Sequence, residues 1–258
     1  MISIDSFPDQ AVAVVIGASR GIGLAMVESL VDSGRFATVV ACCRQPDQAG
    51  DLKALAGRFG GMLQLVELDL TRPDSIEGLV AALESEALAP SLVLNVAGLL
   101  HQGERLQPEK RLEDLELASL ERVFAVNAFG PALVMKHLLP LMHREGKAVM
   151  AVLSARVGSI GDNRLGGWYA YRASKAALNQ FMKTASVEAR RRFRNVILTA
   201  LHPGTTDTGL SAPFQANVPE GKLFTPGFVA ERLLTVIDQL VEDDSGHFFA
   251  WDGATIDW

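Results

Sequence analysis

Two tyrosines occur in the 258-residue chain, Tyr169 and Tyr171, and the second stands four residues ahead of Lys175 in the pattern WYAYRASKAALNQF. On a helix those two side chains share a face, with Cβ atoms about 5–6 Å apart. A phenol ordinarily keeps its proton to pH ~10. An ammonium about 5 Å away, at an effective dielectric near ~20, contributes about 3 kcal/mol toward the phenolate, roughly two pKa units. The pair is therefore a candidate proton donor. Seventeen residues before Tyr171, an apolar run ends in Val152-Leu153-Ser154 and offers a hydroxyl. If that run is a strand, Ser154 lies at its carboxyl end, where open α/β sheets bind ligands.

A second constellation concerns phosphate. Gly17-Ala18-Ser19-Arg20-Gly21-Ile22-Gly23 follows the apolar run AVAVVI and precedes the helical pattern LAMVESLVDSG. Glycines at a strand-to-helix turn allow a sharp bend at Gly17, close approach of an anion to backbone N–H groups at Gly21, and tight packing of helix on strand at Gly23. A dinucleotide site places an acid at the end of the second strand for the ribose hydroxyls. Here that position reads Ala41-Cys42-Cys43-Arg44. The planar fork of Arg44 suits a 2′-phosphate, with Arg20 as a second cation, so NADP(H) fits better and NAD(H) is the alternative. Asp47 is the nearby acid that favours the latter. An oxidised nicotinamide beside Tyr171 adds positive charge only after hydride has left, an order of events suited to carbonyl reduction.

Seven short apolar runs supply candidate strands, beginning at Ala11, Ala37, Met62, Ser91, Lys147, Asn195 and His247. Helix-period segments separate them: Gly21–Ser33, Asp51–Arg58, Ser75–Ala87, Leu115–Met142, Tyr169–Arg192 and Pro226–Val241. Strict alternation predicts a parallel sheet, and strands apolar throughout predict helices on both faces. The expectation is a single doubly wound α/β domain of Rossmann type over residues 1–258, with about seven parallel strands. Pro131 should disrupt the long Leu115–Met142 helix. Loops are expected at Leu99–Leu112 and Pro203–Thr225, the latter a candidate lid carrying Phe214, Val218 and Leu223.

Taken together, GASRGIG, Asp69-Leu70, Asn95-Val96-Ala97-Gly98, Asn127, Ser154, YRASK at Tyr171–Lys175 and Pro203-Gly204 resemble the short-chain dehydrogenase/reductase family. CRQP at Cys43–Pro46, GGWYAYRASKAALN, LHPG and the ending WDGATIDW are similar to its C-factor and sniffer-like carbonyl-reductase branch. The resemblance implies Tyr171 as the acid toward a carbonyl oxygen, Ser154 as a hydrogen-bonding partner of that oxygen, Lys175 on the nicotinamide ribose, and Asn127 holding a water that joins Lys175 to solvent. It also implies cofactor contacts from Gly17, Ser19, Arg20, Gly21, Ile22, Gly23 and Arg44. Asp69 and Leu70 would lie near the adenine, Asn95, Ala97 and Gly98 near the ribose, and Pro203, Gly204 and Thr208 around the nicotinamide. Val96 departs from the family, which usually carries a second Asn there. A homodimer or homotetramer is implied on the same basis, as are the alternatives of a cofactor-sensing or signalling protein and an NAD-dependent alcohol dehydrogenase.

Composition narrows the rest. Twenty-four Lys+Arg against 30 Asp+Glu give a formal charge of −6, which disfavours nucleic acid as a partner because phosphate-backbone binding needs concentrated cations. The one basic cluster, Arg190, Arg191, Arg192 and Arg194, ends a helical segment where cations complement the dipole. No run of about 18 uninterrupted apolar residues appears, and the first residues, with Asp5 and Asp9, lack a basic head. A cytoplasmic protein with no membrane partner is expected. Cys42 and Cys43 are adjacent and suit a reducing compartment. The five histidines lack metal-ligand spacing, so no metal is expected. The small-molecule partner is a carbonyl compound.

Overall fold

The computed structural model describes residues 4–258. Chain order runs β1 (Ala11–Ile16), α1 (Gly21–Asp32), β2 (Phe36–Cys43), α2 (Gly50–Phe59), β3 (Leu63–Glu67), α3 (Pro73–Ser85), β4 (Leu92–Asn95), α4 (Leu117–Phe124), α5 (Gly130–Leu138), β5 (Ala148–Leu153), α6 (Tyr169–Arg192), β6 (Val196–His202), β7 (Thr205–Thr206), β8 (Leu223–Phe224), α7 (Pro226–Gln239) and β9 (His247–Ala250). The main sheet has seven strands in the order β3-β2-β1-β4-β5-β6-β9, every pairing parallel.

Strands β1 and β5, apolar at every position, feed two cores. Ala11, Ala13 and Val15 of β1, with Val149, Ala151 and Leu153 of β5, pack on the side of α1, α2 and α7. Val14 and Ile16, with Ala148, Met150 and Val152, pack on the side of α3, α5 and α6. This is the doubly wound α/β architecture read from the sequence, because a two-residue side-chain period divides a uniformly apolar strand equally between two helical layers. Chain direction across the sheet reverses between β1 and β4, which pair in register from Ala13↔Leu92 to Ile16↔Asn95. That switch point opens a crevice at the carboxyl ends of the strands.

Local signals set the boundaries. Pro73 and Pro226 occupy first-turn positions of α3 and α7, and the Thr225 side chain accepts from Phe228 N at 3.2 Å. The expected single helix Leu115–Met142 is corrected to α4, a π-helical turn at Ala125–Phe129, α5 and a 3-10 turn at Leu139–Leu141. Pro131 has no N–H to offer the Asn127 carbonyl, and the turn widens so that Gly130 N bonds Ala125 O instead. By length and mean hydropathy, 1.3, the continuous segment Leu117–Leu141 could cross a bilayer; half of its most apolar window is buried in the fold. The Pro203–Thr225 loop contains structure the sequence did not show, a parallel β7/β8 pair and a 3-10 turn at Ala212–Asn217.

Candidate active site

The glycine turn lies at the switch point, and its geometry accounts for its composition. Gly17 has φ +90°, and a Cβ there would stand 2.8 Å from Ala97 N. Gly21 has φ +56°, and a Cβ on Gly23 would stand 2.2 Å from Gly17 O. Gly17 N and Ala18 N both donate to Cys42 O, at 2.9 and 3.0 Å, fixing the turn to β2. The helix that follows starts without a capping side chain at Arg20 and without an acid in its first turn. Its first-turn N–H groups and positive dipole end are thus free for an anion. Arg20 and Arg44 are exposed and line the same cleft, whereas Asp47 does not.

Asp69 sits after β3, where its Oδ1 accepts from Thr71 N at 2.9 Å and Thr71 Oγ1 at 2.7 Å. A Cβ on Gly130 would lie 2.6 Å from Leu70 O, so the π turn is pressed against the wall that Leu70 forms. Asn95 ends β4, buried, and neither of its amide atoms has a partner among the described residues. A Cβ on Gly98 would meet Lys175 Nζ and Asn127 Oδ1, each at 3.7 Å. Gly204 has φ +72°, with Phe224 at 2.8 Å from the position of a Cβ. Thr208 reaches back to the glycine turn, its Cγ2 lying 3.0 Å from a Cβ built on Gly21.

The proton-handling residues converge from β5 and α6. Tyr171, Ser174 and Lys175 lie on the buried face of α6. Gly158 allows the approach, since a Cβ there would stand 2.7 Å from Lys175 Cβ. Lys175 Nζ donates to Leu153 O at 2.7 Å and lies 5.8 Å from the Tyr171 ring centre. Burial lowers the Lys175 ammonium to about 8 and raises the Tyr171 phenol to about 12. The lowering of the phenol expected from Lys175 is therefore not what this arrangement gives: desolvation of the phenolate dominates. Tyr171 keeps its proton at neutral pH. Ser154 Oγ, at the end of β5, donates to Asn179 Oδ1 at 2.6 Å.

Asn127, on the π turn, donates from Nδ2 to Leu99 O at 2.8 Å and to Ser174 Oγ at 3.1 Å, and accepts from Leu99 N at 2.7 Å. It staples the segment after β4 to α6. Its pattern in the sequence showed only a polar interruption in an apolar helix.

Several residues near the site escaped the sequence reading. Trp168, with φ 53°, starts α6 in the left-handed region, where Glu109 O accepts from Trp168 N at 2.5 Å and Glu109 Oε2 from Ala170 N at 3.1 Å. The indole meets Tyr171 edge-on at 6.2 Å and Phe214 at 5.0 Å. His202, at the end of β6, accepts from Arg156 N at 3.3 Å through Nδ1. Burial, with the Arg156 charge, lowers His202 to about 4. Asn179 follows Lys175 by one helical turn, a spacing that would have found it.

One cleft of about 1460 Å³ joins these parts. Gly17, Ser19, Arg20, Gly21, Ile22, Gly23, Arg44, Asp69, Leu70, Ala97, Gly98, Ser154, Tyr171, Lys175, Pro203, Gly204 and Thr208 all line it; Asn95 and Asn127 lie behind its wall. A long cleft with a phosphate cradle at one end and a phenol, hydroxyl and ammonium at the other fits a dinucleotide with space for a small substrate. Trp168, Phe214, Val157, Leu210 and Val218 make the substrate end apolar.

Residues 11–219 match the short chain dehydrogenase family. A 1-hydroxy-2-glutathionyl-2-methyl-3-butene dehydrogenase of Rhodococcus sp. (strain AD45) is 31% identical over 95% of this chain and 98% of its own length. The C-signal of Myxococcus xanthus is 35% identical over 57% of this chain and 83% of its own. The crystal structure of an NADPH-bound carbonyl reductase from chicken fatty liver superposes with a TM-score of 0.87 at 28% identity, covering 98% of this chain and 96% of that one. With the glycine turn, Ser154, Tyr171 and Lys175 gathered at the switch point of a parallel sheet, the chain belongs to the short chain dehydrogenase family of nicotinamide-dependent oxidoreductases.

Proposed function

We propose that the protein is an NADPH-dependent reductase that converts a ketone or aldehyde to an alcohol. The observation that carries this reading is the protonated, buried Tyr171 in one cleft with Ser154, Lys175 and an open glycine cradle. Gly17–Gly23 and the first turn of α1 would hold the pyrophosphate, and Arg44 with Arg20 the 2′-phosphate. When bound, the reduced nicotinamide supplies the hydride for the carbonyl carbon. Tyr171 Oη gives its proton to the carbonyl oxygen, which completes the alcohol; the phenolate left behind regains a proton from solvent. Lys175, as an ammonium, favours that phenolate once the barrier of burial has been met. The apolar end of the cleft selects an apolar carbonyl compound.

NADPH over NADH is supported by two exposed arginines lining the cradle, neither in an ion pair among the described residues, and by the NADPH carried by the chicken carbonyl reductase. The name of the Rhodococcus relative favours a second reading, in which the same residues run in the oxidative direction on an alcohol. Fluorescence titration of the purified protein with NADPH and NADH, followed by cofactor oxidation across a carbonyl panel and cofactor reduction across an alcohol panel, tests both. Tighter NADPH binding with carbonyl-dependent oxidation is expected. Cofactor binding without turnover in either direction would instead indicate a sensing protein, and absence of saturable binding overturns every nicotinamide reading.

A further inference from the structure

Ser154 lies between the cleft and Asn179 on α6. Its hydroxyl donates to Asn179 Oδ1 at 2.6 Å, and each residue is 3% exposed. A hydroxyl carries one hydrogen, so Ser154 offers the cleft only lone pairs in this arrangement. A carbonyl oxygen is itself an acceptor and gains nothing from lone pairs. On the far side of the same amide, Asn179 Nδ2 is buried without a partner among the described residues, although buried amide donors are ordinarily satisfied. Asn179 follows Lys175 by four positions and Tyr171 by eight, so the three lie along one face of α6. Tyr171, Lys175 and Ser154 line the cleft; Asn179 does not, and is bonded to the cleft-lining Ser154.

We propose that Asn179 is a positioning residue for the reduction inferred above, acting by controlling where the Ser154 hydrogen points. The two ends of a primary amide have nearly the same shape and opposite hydrogen-bonding roles. A half turn of the Asn179 amide replaces Oδ1 by Nδ2 beside Ser154. Nδ2 then donates to Ser154 Oγ, and the Ser154 hydrogen is released to the carbonyl oxygen in the cleft. No covalent bond changes, and no proton leaves its heavy atom. The buried donor that lacks a partner in one state gains one in the other, while a carbonyl oxygen takes over the unfilled position, which is the easier group to leave unpaired. Ser154 thus keeps its hydrogen on the protein until an acceptor arrives, which prepares the oxygen for the Tyr171 proton.

The inference rests on the reductase reading, and the test separates the two. NADPH oxidation with an aryl ketone or aryl 1,2-diketone probe is measured for the full-length wild type, Asn179→Leu, Asn179→Asp, Ser154→Ala and the Ser154→Ala/Asn179→Leu double variant. Asn179→Leu should lower kcat about tenfold with the KM for NADPH unchanged, Ser154→Ala about a hundredfold, and the double variant no further than Ser154→Ala alone. An ionised Asp can only accept, so Asn179→Asp should pin the Ser154 hydrogen. Its activity relative to wild type should rise as pH falls and the carboxyl gains a proton. That pH profile also decides the matter if Asn179→Leu fails to fold. Losses that multiply in the double variant, wild-type activity in Asn179→Leu, or a flat Asn179→Asp ratio overturn the role of Asn179 while leaving the reductase reading intact. Absence of wild-type turnover overturns both.

Discussion

At the scale of single residues, the chemistry depends on burial doing opposite things to neighbouring groups. Tyr171 and Lys175 both leave water on one face of α6; the phenol rises to about 12 and the ammonium falls to about 8. Tyr171 is therefore protonated at neutral pH, as the proposed donor must be. Tyr171→Phe removes the proton and little else, and should lower kcat by about 10² or more, near 2.7 kcal/mol in barrier, with NADPH affinity retained. Single-turnover kinetics beside a binding titration check this, and unaltered turnover would remove Tyr171 from its role. His202 makes a separate prediction. Its folded pKa, about 4, lies below the ordinary 6.5, so the unfolded chain binds more protons between those values. The stability contributed by neutral His202 is complete above the ordinary value and is lost as pH falls toward 4. His202→Gln, which can still accept from Arg156 N, should show a smaller fall in urea midpoint across that window than wild type; equal falls would refute it.

Tyr171, Lys175 and Ser154 were readable from type and spacing because a helix converts a four-residue interval into a shared face. Asn127 was readable only through family resemblance. Its position depends on a π turn that exists because Pro131 lacks a donor, and on Leu99, which lies 28 positions away. Asn179 shares the four-residue spacing from Lys175, but its bond to Ser154 exists only in the fold; Trp168 was legible in neither way, since its partners are tertiary.

At the scale of elements, β1, the glycine turn and α1 form one device. Alanine exceeds glycine by about 1 kcal/mol in intrinsic helix propensity, so Gly23→Ala would be stabilising in a solvent-exposed helix. Here the added Cβ would stand 2.2 Å from Gly17 O, and the turn must shift. Gly23→Ala should weaken NADPH binding at least about tenfold and lower the melting temperature. Calorimetric titration and thermal melts decide it, and an unchanged Kd would mean the cradle does not need this contact. The π turn is the second device: it widens α4 into α5 where Asn127 must reach both Leu99 and Ser174, and Gly130 lets that widened turn touch Leu70.

At the scale of the whole molecule, the sheet order brings the carboxyl ends of β1, β4, β5 and β6 along one edge, and with them a glycine turn and a buried phenol encoded about 150 residues apart. A ligand that spans that edge ties several elements together. NADPH at a hundredfold excess over its Kd should stabilise by about 2.7 kcal/mol, a rise in melting temperature on the order of 5–10 °C for a domain of this size. NADH at equal concentration should give less, and Arg44→Asp should narrow or reverse the difference. Identical shifts in all four combinations would show that Arg44 does not read the 2′-phosphate.

What the amino-acid order determined by itself was periodic and local: uniformly apolar strands separated by helices, glycines where a turn meets a helix, a phenol and an ammonium one turn apart. Those follow from backbone geometry and side-chain period, which act over a few residues. Tertiary structure alone decided which way the Tyr171 and Lys175 equilibria moved, because desolvation is set by everything packed around a group rather than by its nearest charge in sequence. It likewise decided that Ser154 turns its hydrogen to Asn179, that Trp168 adopts a left-handed backbone against Glu109, and that a helix read as continuous opens at Asn127. Each of these rests on contacts between distant segments, and the free energy of such contacts exists only once the chain has closed around them.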